Sequence, residues 1–350
     1  MSPEFWRNRS VFLTGHTGFK GGWIALWLSK LGAKVHGYSL APPTTPNFYN
    51  ATRLQDRVQS STIADIRDLP KLTSAVQAAQ CSIVIHMAAQ ALVRESYSTP
   101  VDTITTNVLG TVNVLEAARQ AETVQAIVNI TTDKCYENQE WLWPYRENDR
   151  LGGHDPYSSS KACAEIAAAA YRHSFLARSG IQLASVRAGN VIGGGDWATD
   201  RLIPDFLRAI DAGATLRIRS PNAVRPWQHV LEPLSGYLML AERLVTDGAE
   251  FAEAWNFGPE EFDAKPVSWI VNRLCQKLPH ARWELEGAPQ PHEAGLLKLD
   301  SAKAKTRLGW SPRWSLETAL DKTVEWHQAR KANQPMAEIS IHQIEQYQAA

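Results

Sequence analysis

The sequence has few of the features that mark a metal centre, a disulfide-stabilised protein or a membrane protein. Four of its 350 residues are cysteines. They show neither CxxC spacing nor neighbouring histidines, which argues against zinc and disulfide frameworks and favours reduced thiols in the cytoplasm. No apolar run reaches the length of a membrane-spanning helix, and residues 1–9 lack the apolar core of a signal peptide. We therefore expect a cytoplasmic protein without a metal.

The sequence also lacks an excess of either charge. Lysine plus arginine and aspartate plus glutamate each total 36, so no overall field attracts the chain to nucleic acid or to an anionic membrane. A hydrophobic content of 44% over this length supports a large core. Length and composition together fit one large α/β domain that carries a smaller one.

Apolar runs of strand length alternate with helical patterns through the first half of the chain. The patterns predict strands at residues 10–14, 34–40, 61–66, 82–88, 126–131 and 181–187, and helices at 18–31, 69–79, 101–119 and 156–178. Such alternation is typical of βαβ units and a parallel sheet. The sequence therefore predicts an α/β protein with a Rossmann-like, doubly wound parallel sheet and a smaller C-terminal substrate-binding lobe.

The second half of the chain contains more loop signals and weaker alternation. We expect residues 1–190 to form the dinucleotide-binding domain, with a return segment at about 228–258. Residues 191–227 and 259–330 are expected to form the smaller, substrate-binding lobe. The last segment, 331–350, has the composition of a mobile polar helical tail.

A glycine-rich turn follows the first predicted strand and precedes a predicted helix. Gly15 permits the tight turn, Gly18 lets a pyrophosphate approach the backbone, and Gly21 allows the helix to pack closely. An ordinary strand-to-helix turn is the alternative, but the context favours a dinucleotide site. The second strand ends without the acidic residue that usually binds the ribose of NAD, so the choice between NAD and NADP stays open.

A tyrosine and a lysine lie four residues apart at the start of the helix predicted for 156–178. Asp155 suits the N-cap and Pro156 the first helical position, which places Tyr157 and Lys161 on one face. A nearby ammonium group would stabilise the tyrosine anion, so the pair could move the proton of a sugar hydroxyl. This spacing alone is common on solvated helix faces, and its position after the fifth strand makes it significant.

Together these motifs resemble the extended short-chain dehydrogenase/reductase family of NAD-dependent epimerases and dehydratases. The resemblance covers about residues 8–325 and includes Thr-Gly-x-x-Gly-Phe-x-Gly, the segment that begins Asn107-Val108-Leu109, and the Tyr157/Lys161 pair. It implies NAD as the cofactor. The implied cofactor-binding residues are Gly15, Thr17, Gly18, Phe19, Asp65, Ile66, Ala88, Ala89, Asn107, Tyr157 and Lys161.

The end of the fifth strand resembles the 4,6-dehydratase branch of this family. Thr132 is followed by the charged pair Asp133-Lys134, where dTDP-sugar dehydratases have Asp-Glu, and the lysine favours the branch that acts on CDP-glucose. The resemblance implies that Tyr157 and Thr132 act on the C4 hydroxyl, that Lys134 takes the C5 proton, and that Asp133 protonates the leaving C6 hydroxyl. An NAD-dependent 4-epimerase, a dehydratase of another nucleotide sugar and a nucleotide-sensing module are the alternatives.

Donors for a sugar nucleotide follow the fourth and sixth strands. Arginine forks suit phosphate oxygens. The expected substrate-binding residues are Gln90, Arg94, Asn190, Arg217, Arg219, Arg225, His229 and Glu293. The resemblance further implies a homodimer and a role in deoxysugar biosynthesis for surface polysaccharide such as lipopolysaccharide O-antigen.

Overall fold

The computed structural model describes residues 2–287 and 294–350. Its strands are β1 (Ser10–Thr14), β2 (Lys34–Ser39), β3 (Ser60–Ile63), β4 (Ile83–His86), β5 (Ala126–Ile130), β6 (Gln182–Ala188), β7 (Val191–Ile192), β8 (Leu216–Ile218), β9 (Val224–Pro226), β10 (Gln228–His229), β11 (Ala254–Phe257), β12 (Ala264–Pro266) and β13 (Trp283–Leu285).

Its α-helices are α1 (Pro3–Trp6), α2 (Phe19–Lys30), α3 (Phe48–Ala51), α4 (Leu69–Ala79), α5 (Val93–Ser98), α6 (Pro100–Ile104), α7 (Gly110–Arg119), α8 (Pro156–Tyr171), α9 (Ala177–Ser179), α10 (Leu202–Asp211), α11 (Leu231–Thr246), α12 (Val267–Lys277), α13 (Leu316–Lys331) and α14 (Met336–Ala349). Five-residue π-helical segments join α6 to α7 and α8 to α9, so the two long helices predicted from sequence run on with a local change of pitch.

Seven parallel strands form the main sheet in the order β11-β6-β5-β4-β1-β2-β3. The order reverses between β1 and β4, where Thr14 lies opposite His86. In open α/β sheets a ligand cleft lies at the carboxyl ends of the strands at such a reversal. The predicted Rossmann-like fold is confirmed, and the sheet gains β11 as an additional edge strand.

The central strands are buried on both faces, which explains their continuous apolar sequences. Successive side chains alternate between two cores. Val84 and Ile127 pack with α4 and α7, whereas Ile85 and Val128 pack with α2 and α11 on the opposite face. Helices therefore cover both sides of the sheet, and only its strand ends are open for a site.

The remaining strands form three small pairs near the carboxyl edge of the main sheet: β7 with β10, β9 with β12, and β8 with β13. A separate apolar cluster joins α10, α12 and α13 beside them. Helix α11 and β11 lie between these segments in sequence and pack with the main sheet. The division into a dinucleotide domain at 1–190 and a substrate lobe stays a prediction. None of the described helices is both long and apolar enough to cross a bilayer.

The C-terminal segment differs from the expected mobile tail. Helix α14 packs against α2 and α13, and its Ile344 and Tyr347 are buried. The Tyr347 hydroxyl donates to Glu232 Oε2 at 2.7 Å, and its ring meets Trp27 edge to face. A few apolar side chains on one face are thus enough to pack the helix against its neighbours. The average composition of residues 331–350 is polar and did not indicate them.

Candidate active site

A cleft with a cavity of about 900 Å³ opens at the carboxyl ends of β1, β4, β5 and β6. One wall is the glycine turn, another is the end of β5 with the start of α8, and the third comes from the segments around α10 and β8. This volume is at the upper end of the range for small-molecule sites. The cleft therefore has room for an extended ligand at the place where the sheet order reverses.

The glycine turn leaves no space for side chains at two positions. Gly15 has φ +80°, and a Cβ there would lie 2.8 Å from the backbone nitrogen of Ala88. A Cβ at Gly21 would lie 1.9 Å from the Gly15 carbonyl oxygen. Gly18 and Phe19, at the start of α2, line the cleft with Gly15. The turn thus presents bare backbone and a helix N-terminus, which together fit a pyrophosphate.

Thr14 fastens the end of β4 to this turn. Its hydroxyl accepts hydrogen bonds from the backbone N–H groups of Met87 at 3.0 Å and Ala88 at 3.1 Å, and it lies 2.8 Å from His86 Nδ1. Ala88 and Ala89 consequently line the cleft beside the glycines. Small side chains at these two positions keep the floor of the cleft open.

Side chains of the glycine turn fill the space at the end of β2. The Thr17 hydroxyl donates to the Leu40 carbonyl oxygen and lies 2.8 Å from the Ser39 hydroxyl. The His16 ring fills the space next to Gly37, where a Cβ would meet it at 2.5 Å. Burial lowers the pKa of His16 to about 4. Hydroxyl and backbone groups, rather than a carboxylate, therefore face the cleft at this strand end.

Asp65 and Ile66, after β3, line the same end of the cleft. The Asp65 carboxylate accepts from Arg67 Nη2 at 2.6 Å, and Arg67 also binds Asp102. Hydrogen bonding from Arg67 is the largest cause that lowers the pKa of Asp65. The carboxylate is thus fixed in orientation by an arginine before any ligand arrives.

Tyr157 and Lys161 lie together in the wall, as the spacing predicts. Asp155 caps α8 by accepting from the Ser158 N–H at 2.9 Å. Lys161 Nζ donates to the carbonyl oxygen of Ile130, the last residue of β5, at 3.3 Å. Burial raises the pKa of Tyr157 to about 12, an effect that hydrogen bonding with Thr132 opposes. Burial also lowers the pKa of Lys161 to about 8.

The turn after β5 brings the other predicted catalytic residues next to this pair. Thr132 donates to Asp133 Oδ1 at 2.9 Å. Lys134 Nζ donates to the same oxygen at 3.3 Å and to Asn190 Oδ1 at 3.5 Å. Thr132 and Lys134 line the cleft, whereas Asp133 is fully buried. Within the described residues, its Oδ2 has no hydrogen-bond partner.

Asn107 does not line the cleft and corrects the expectation of a cofactor contact. Its amide donates to the Gln90 carbonyl oxygen at 3.0 Å and to the Ser160 hydroxyl at 2.8 Å, and it accepts from the Gln90 N–H. These bonds use both donors of the amide, and the side chain is buried. Asn107 therefore holds α8 to the loop after β4. Gln90 does line the cleft, but its side chain is bonded to Leu92 and Thr103.

Four predicted arginines and Asn190 lie on the cleft wall. Arg225 is buried and donates to the Val224 carbonyl oxygen. Arg217 pairs with Glu284 at 3.0 Å. Arg94 and Arg219 both bond to one carboxylate, that of Asp200. The structure brings these cations to one end of the cleft, although they come from separate parts of the sequence.

His229 is the second correction, because its ring is fully buried away from the cleft wall. It packs between Trp23, with ring centroids 6.1 Å apart, and Trp314, at 4.9 Å. Burial lowers its pKa to about 3. A neutral ring enclosed by tryptophans cannot bind a substrate phosphate. The remaining predicted residue, Glu293, lies outside the described residues.

Lys20 and Arg201 are cleft residues that the sequence did not indicate. Lys20 Nζ donates to the Tyr237 hydroxyl at 3.2 Å, and burial lowers its pKa to about 7. Arg201 pairs with Asp196 at 2.9 Å, and its charge lowers the pKa of Tyr157. A lysine in the first turn of a buried helix was the available signal for Lys20, whereas tertiary contacts alone place Arg201.

Comparison with known sequences assigns the chain to a family. The profile of the GDP-mannose 4,6 dehydratase family matches residues 12–323. A CDP-glucose 4,6-dehydratase from Salmonella typhimurium is 52% identical over 100% of this chain and 99% of its own. A dTDP-glucose 4,6-dehydratase from Xanthomonas campestris is 24% identical over 90% of this chain and 92% of its own.

Solved structures show the same fold at lower sequence identity. A UDP-glucose 4-epimerase from Thermotoga maritima superposes with a TM-score of 0.79 at 22% identity, covering 92% of this chain and 99% of that one. A dTDP-glucose 4,6-dehydratase from Bacillus anthracis in complex with NAD gives 0.77 at 21% identity, covering 94% and 99%. The chain therefore belongs to the GDP-mannose 4,6 dehydratase family, within the NAD-dependent epimerases and dehydratases of the extended short-chain dehydrogenase type.

Proposed function

We propose that this chain is an NAD-dependent CDP-glucose 4,6-dehydratase, which converts CDP-glucose to CDP-4-dehydro-6-deoxy-glucose and water. The observation that carries the proposal is the contact of two cleft residues, Thr132 and Lys134, with the buried Asp133. Tyr157 and Lys161 line the same cleft. The 52% identity over the full chain to a CDP-glucose 4,6-dehydratase supports the same reaction and substrate.

The glycine turn and its neighbours fit NAD. The bare backbone at Gly15 and Gly18 would hold the pyrophosphate, and Asp65 and Ile66 would meet the adenine end. Further contacts would come from Thr17, Phe19, Ala88, Ala89, Tyr157 and Lys161. When bound, NAD accepts the hydride of C4 and later supplies it to C6.

Tyr157 acts as the base for the C4 hydroxyl in this proposal. Thr132 holds that hydroxyl, because its own side chain lies at the cleft surface beside Tyr157. Lys161 and Arg201 supply positive charge that stabilises the tyrosine anion. The ketone formed at C4 then acidifies the C5 proton, so oxidation must precede elimination.

Asp133 and Lys134 carry the protons of the elimination. The lysine ammonium is hydrogen-bonded to the buried carboxylate, so a proton can pass between them without entering solvent. Once that proton has moved from Lys134 to Asp133, the neutral amine takes the C5 proton, the Asp133 carboxyl group protonates the C6 hydroxyl, and water leaves. C5 is reprotonated after C6 has received its hydride. A simple 4-epimerase has no use for this pair.

The cationic end of the cleft is the place for the substrate diphosphate. Asn190 and Arg225 are proposed to bind its phosphates, with Arg217 and Arg219 beside the nucleobase and Gln90 and Arg94 towards the hexose. Glu293 is proposed to lie near the nucleotide. The product is a 6-deoxy-4-keto sugar nucleotide, which suits deoxysugar biosynthesis for surface polysaccharide such as lipopolysaccharide O-antigen. The four free thiols fit a reducing cytoplasm.

Mass spectrometry of the purified protein with CDP-glucose, dTDP-glucose and UDP-glucose, each with and without added NAD, tests this function. We expect loss of one water from CDP-glucose and slower or no loss from the other two. No change in mass, with altered stereochemistry at C4 by NMR, would instead establish a 4-epimerase. Water loss from another nucleotide sugar in preference to CDP-glucose would correct the substrate.

We further propose a homodimer that pairs through α6, α7 and α8. Apolar side chains on these helices and their π-helical extensions are exposed, namely Val101, Ile104, Leu109, Ile166 and Phe175. An exposed apolar patch of this kind is typical of an interface. Sedimentation should give a dimer, and Ile166→Glu should shift it towards monomer; a wild-type monomer would contradict the proposal.

A further inference from the structure

We propose that the Asp200 carboxylate occupies the position of a substrate phosphate between two cleft arginines and thereby sets the affinity for the anionic part of the ligand. Asp200 is then a specificity-determining residue that acts through Arg94 and Arg219. The proposal rests on the proposed function only in that the ligand is a nucleoside diphosphate.

One carboxylate connects two arginines from separate segments of the fold. Asp200 Oδ1 accepts from Arg94 Nη1 at 2.9 Å and from Arg219 Nη1 at 3.2 Å. Arg94 belongs to α5, which follows β4, whereas Arg219 follows β8 in a distant part of the sequence. All three side chains line the cleft. The ion-pair cluster therefore bridges the cleft where a ligand enters.

The backbone at Asp200 supports a specific placement. Asp200 has φ +61°, a left-handed conformation that is uncommon outside glycine and that asparagine and aspartate tolerate best. Such conformations persist where the surrounding contacts impose them, and they cluster at ligand sites. Because asparagine accepts the same backbone, Asp200→Asn changes the charge without disturbing the turn.

The two arginines can exchange the Asp200 carboxylate for a phosphate group. Guanidinium groups bind carboxylate and phosphate oxygens with the same fork geometry. Asp200 is 41% exposed and Arg94 43%, and such partly exposed ion pairs are weak. A diphosphate can therefore displace the carboxylate at low cost. A ligand without phosphates cannot replace the carboxylate, so the ion-pair cluster changes the affinity for anionic ligands alone.

Isothermal titration calorimetry of the full chain with CDP and with cytidine tests this inference. Asp200→Asn should tighten CDP binding by about three- to tenfold, since it removes the negative charge that competes with the diphosphate for the two arginines. Cytidine affinity should not change. Glu317→Gln, which removes the same charge from an exposed ion pair with Arg273 on α13, should leave both affinities as they are.

A double variant tests whether the effect of Asp200→Asn on CDP affinity depends on Arg94. If Asp200 acts through the arginines, Arg94→Gln in the Asp200→Asn background should cancel part of the gain for CDP. Unchanged or weaker CDP binding in Asp200→Asn, or an equal gain for cytidine, would overturn the inference. None of these measurements requires turnover, so their failure is distinct from a failure to dehydrate CDP-glucose.

Discussion

Tyr157 and Lys161 lie where burial opposes the charges that the reaction requires. The tyrosine is neutral and the lysine is close to losing its proton, because burial moves the pKa values towards about 12 and about 8. An anion formed on Tyr157 during the reaction would be stabilised by Lys161 and Arg201. The negative charge on Tyr157 therefore forms only during the reaction.

Tyr157→Phe should lower kcat by about 100- to 10,000-fold, because the phenylalanine ring has no group that can take the C4 proton. CDP affinity should stay at the wild-type value, since the ring remains in place. Steady-state assays of water loss and calorimetry with CDP measure the two quantities. Turnover at the native rate in this variant would refute the assignment of the base.

Lys134→Met should lower the rate of water loss by a similar factor of about 100 to 10,000, because the C5 proton loses its acceptor. Mass spectrometry of the product measures it. Lys71→Met makes the same change at an exposed lysine on α4 and should have no effect. Equal rates for Lys134→Met and the native chain would show that Lys134 has no part in the elimination.

The pH dependence of kcat should report the charge on Lys161. With its pKa lowered to about 8, Lys161 carries its charge below that pH and loses it above, so kcat should fall as pH rises through about 8. In Lys161→Arg the cation persists at alkaline pH, and the fall should disappear from the profile, whatever the absolute rate. A profile that keeps the same alkaline limb would exclude Lys161 as its cause.

The side chains predicted to react lie together in the structure, whereas some polar residues predicted around them lie outside the cleft wall. Tyr157, Lys161 and Thr132 lie in fixed places relative to α8 and the end of β5, so local pattern was sufficient. His229 and Asn107 carry donors that could bind a ligand. Only tertiary packing shows that His229 is enclosed by tryptophans and that Asn107 joins α8 to the loop after β4. Arg201 could not be predicted because Asp196 positions it.

At the scale of elements, the predicted strands and helices match the structure to within a few residues over the first half of the chain. Continuous apolar runs identify β4 and β5, and the Asp155-Pro156 start identifies α8. Of the short paired strands from β7 onwards, the family resemblance implied a strand at 216–219, which corresponds to β8, and the others were not predicted. Strands of two or three residues carry no periodicity, so distant partners define them.

Helix α14 should contribute to stability through its bond to Glu232. Burial raises the pKa of Glu232 to about 7, so at pH 8 the carboxylate is ionised and needs its donors. Tyr347→Phe removes one of them and should lower the free energy of unfolding by about 1–3 kcal/mol at pH 8. Urea unfolding measures this.

The exposed Tyr97→Phe serves as the control for that measurement, because it removes the same hydroxyl from a ring that is 41% exposed. Its free energy of unfolding should change by less than about 0.5 kcal/mol. Equal stability losses in the two variants would show that the bond to Glu232 has no special role.

At the scale of the whole molecule, the fold class followed from the alternation of strands and helices, and the reversal between β1 and β4 followed from it. The reversal brings the glycine turn, the Tyr157/Lys161 pair and Lys134 into one cleft, and Lys134 is bonded there to the buried Asp133. A single cleft is what the chemistry needs, because oxidation at C4 must activate C5 before C6 can lose its hydroxyl.

Transfer of hydrogen within one sugar is therefore the central claim, and CDP-glucose labelled with deuterium at C4 tests it most directly. NMR of the product should find the deuterium in the C6 methyl group, because the hydride removed from C4 returns to C6 in the same site. Deuterium that stays at C4, or that is lost from the sugar, would contradict the account.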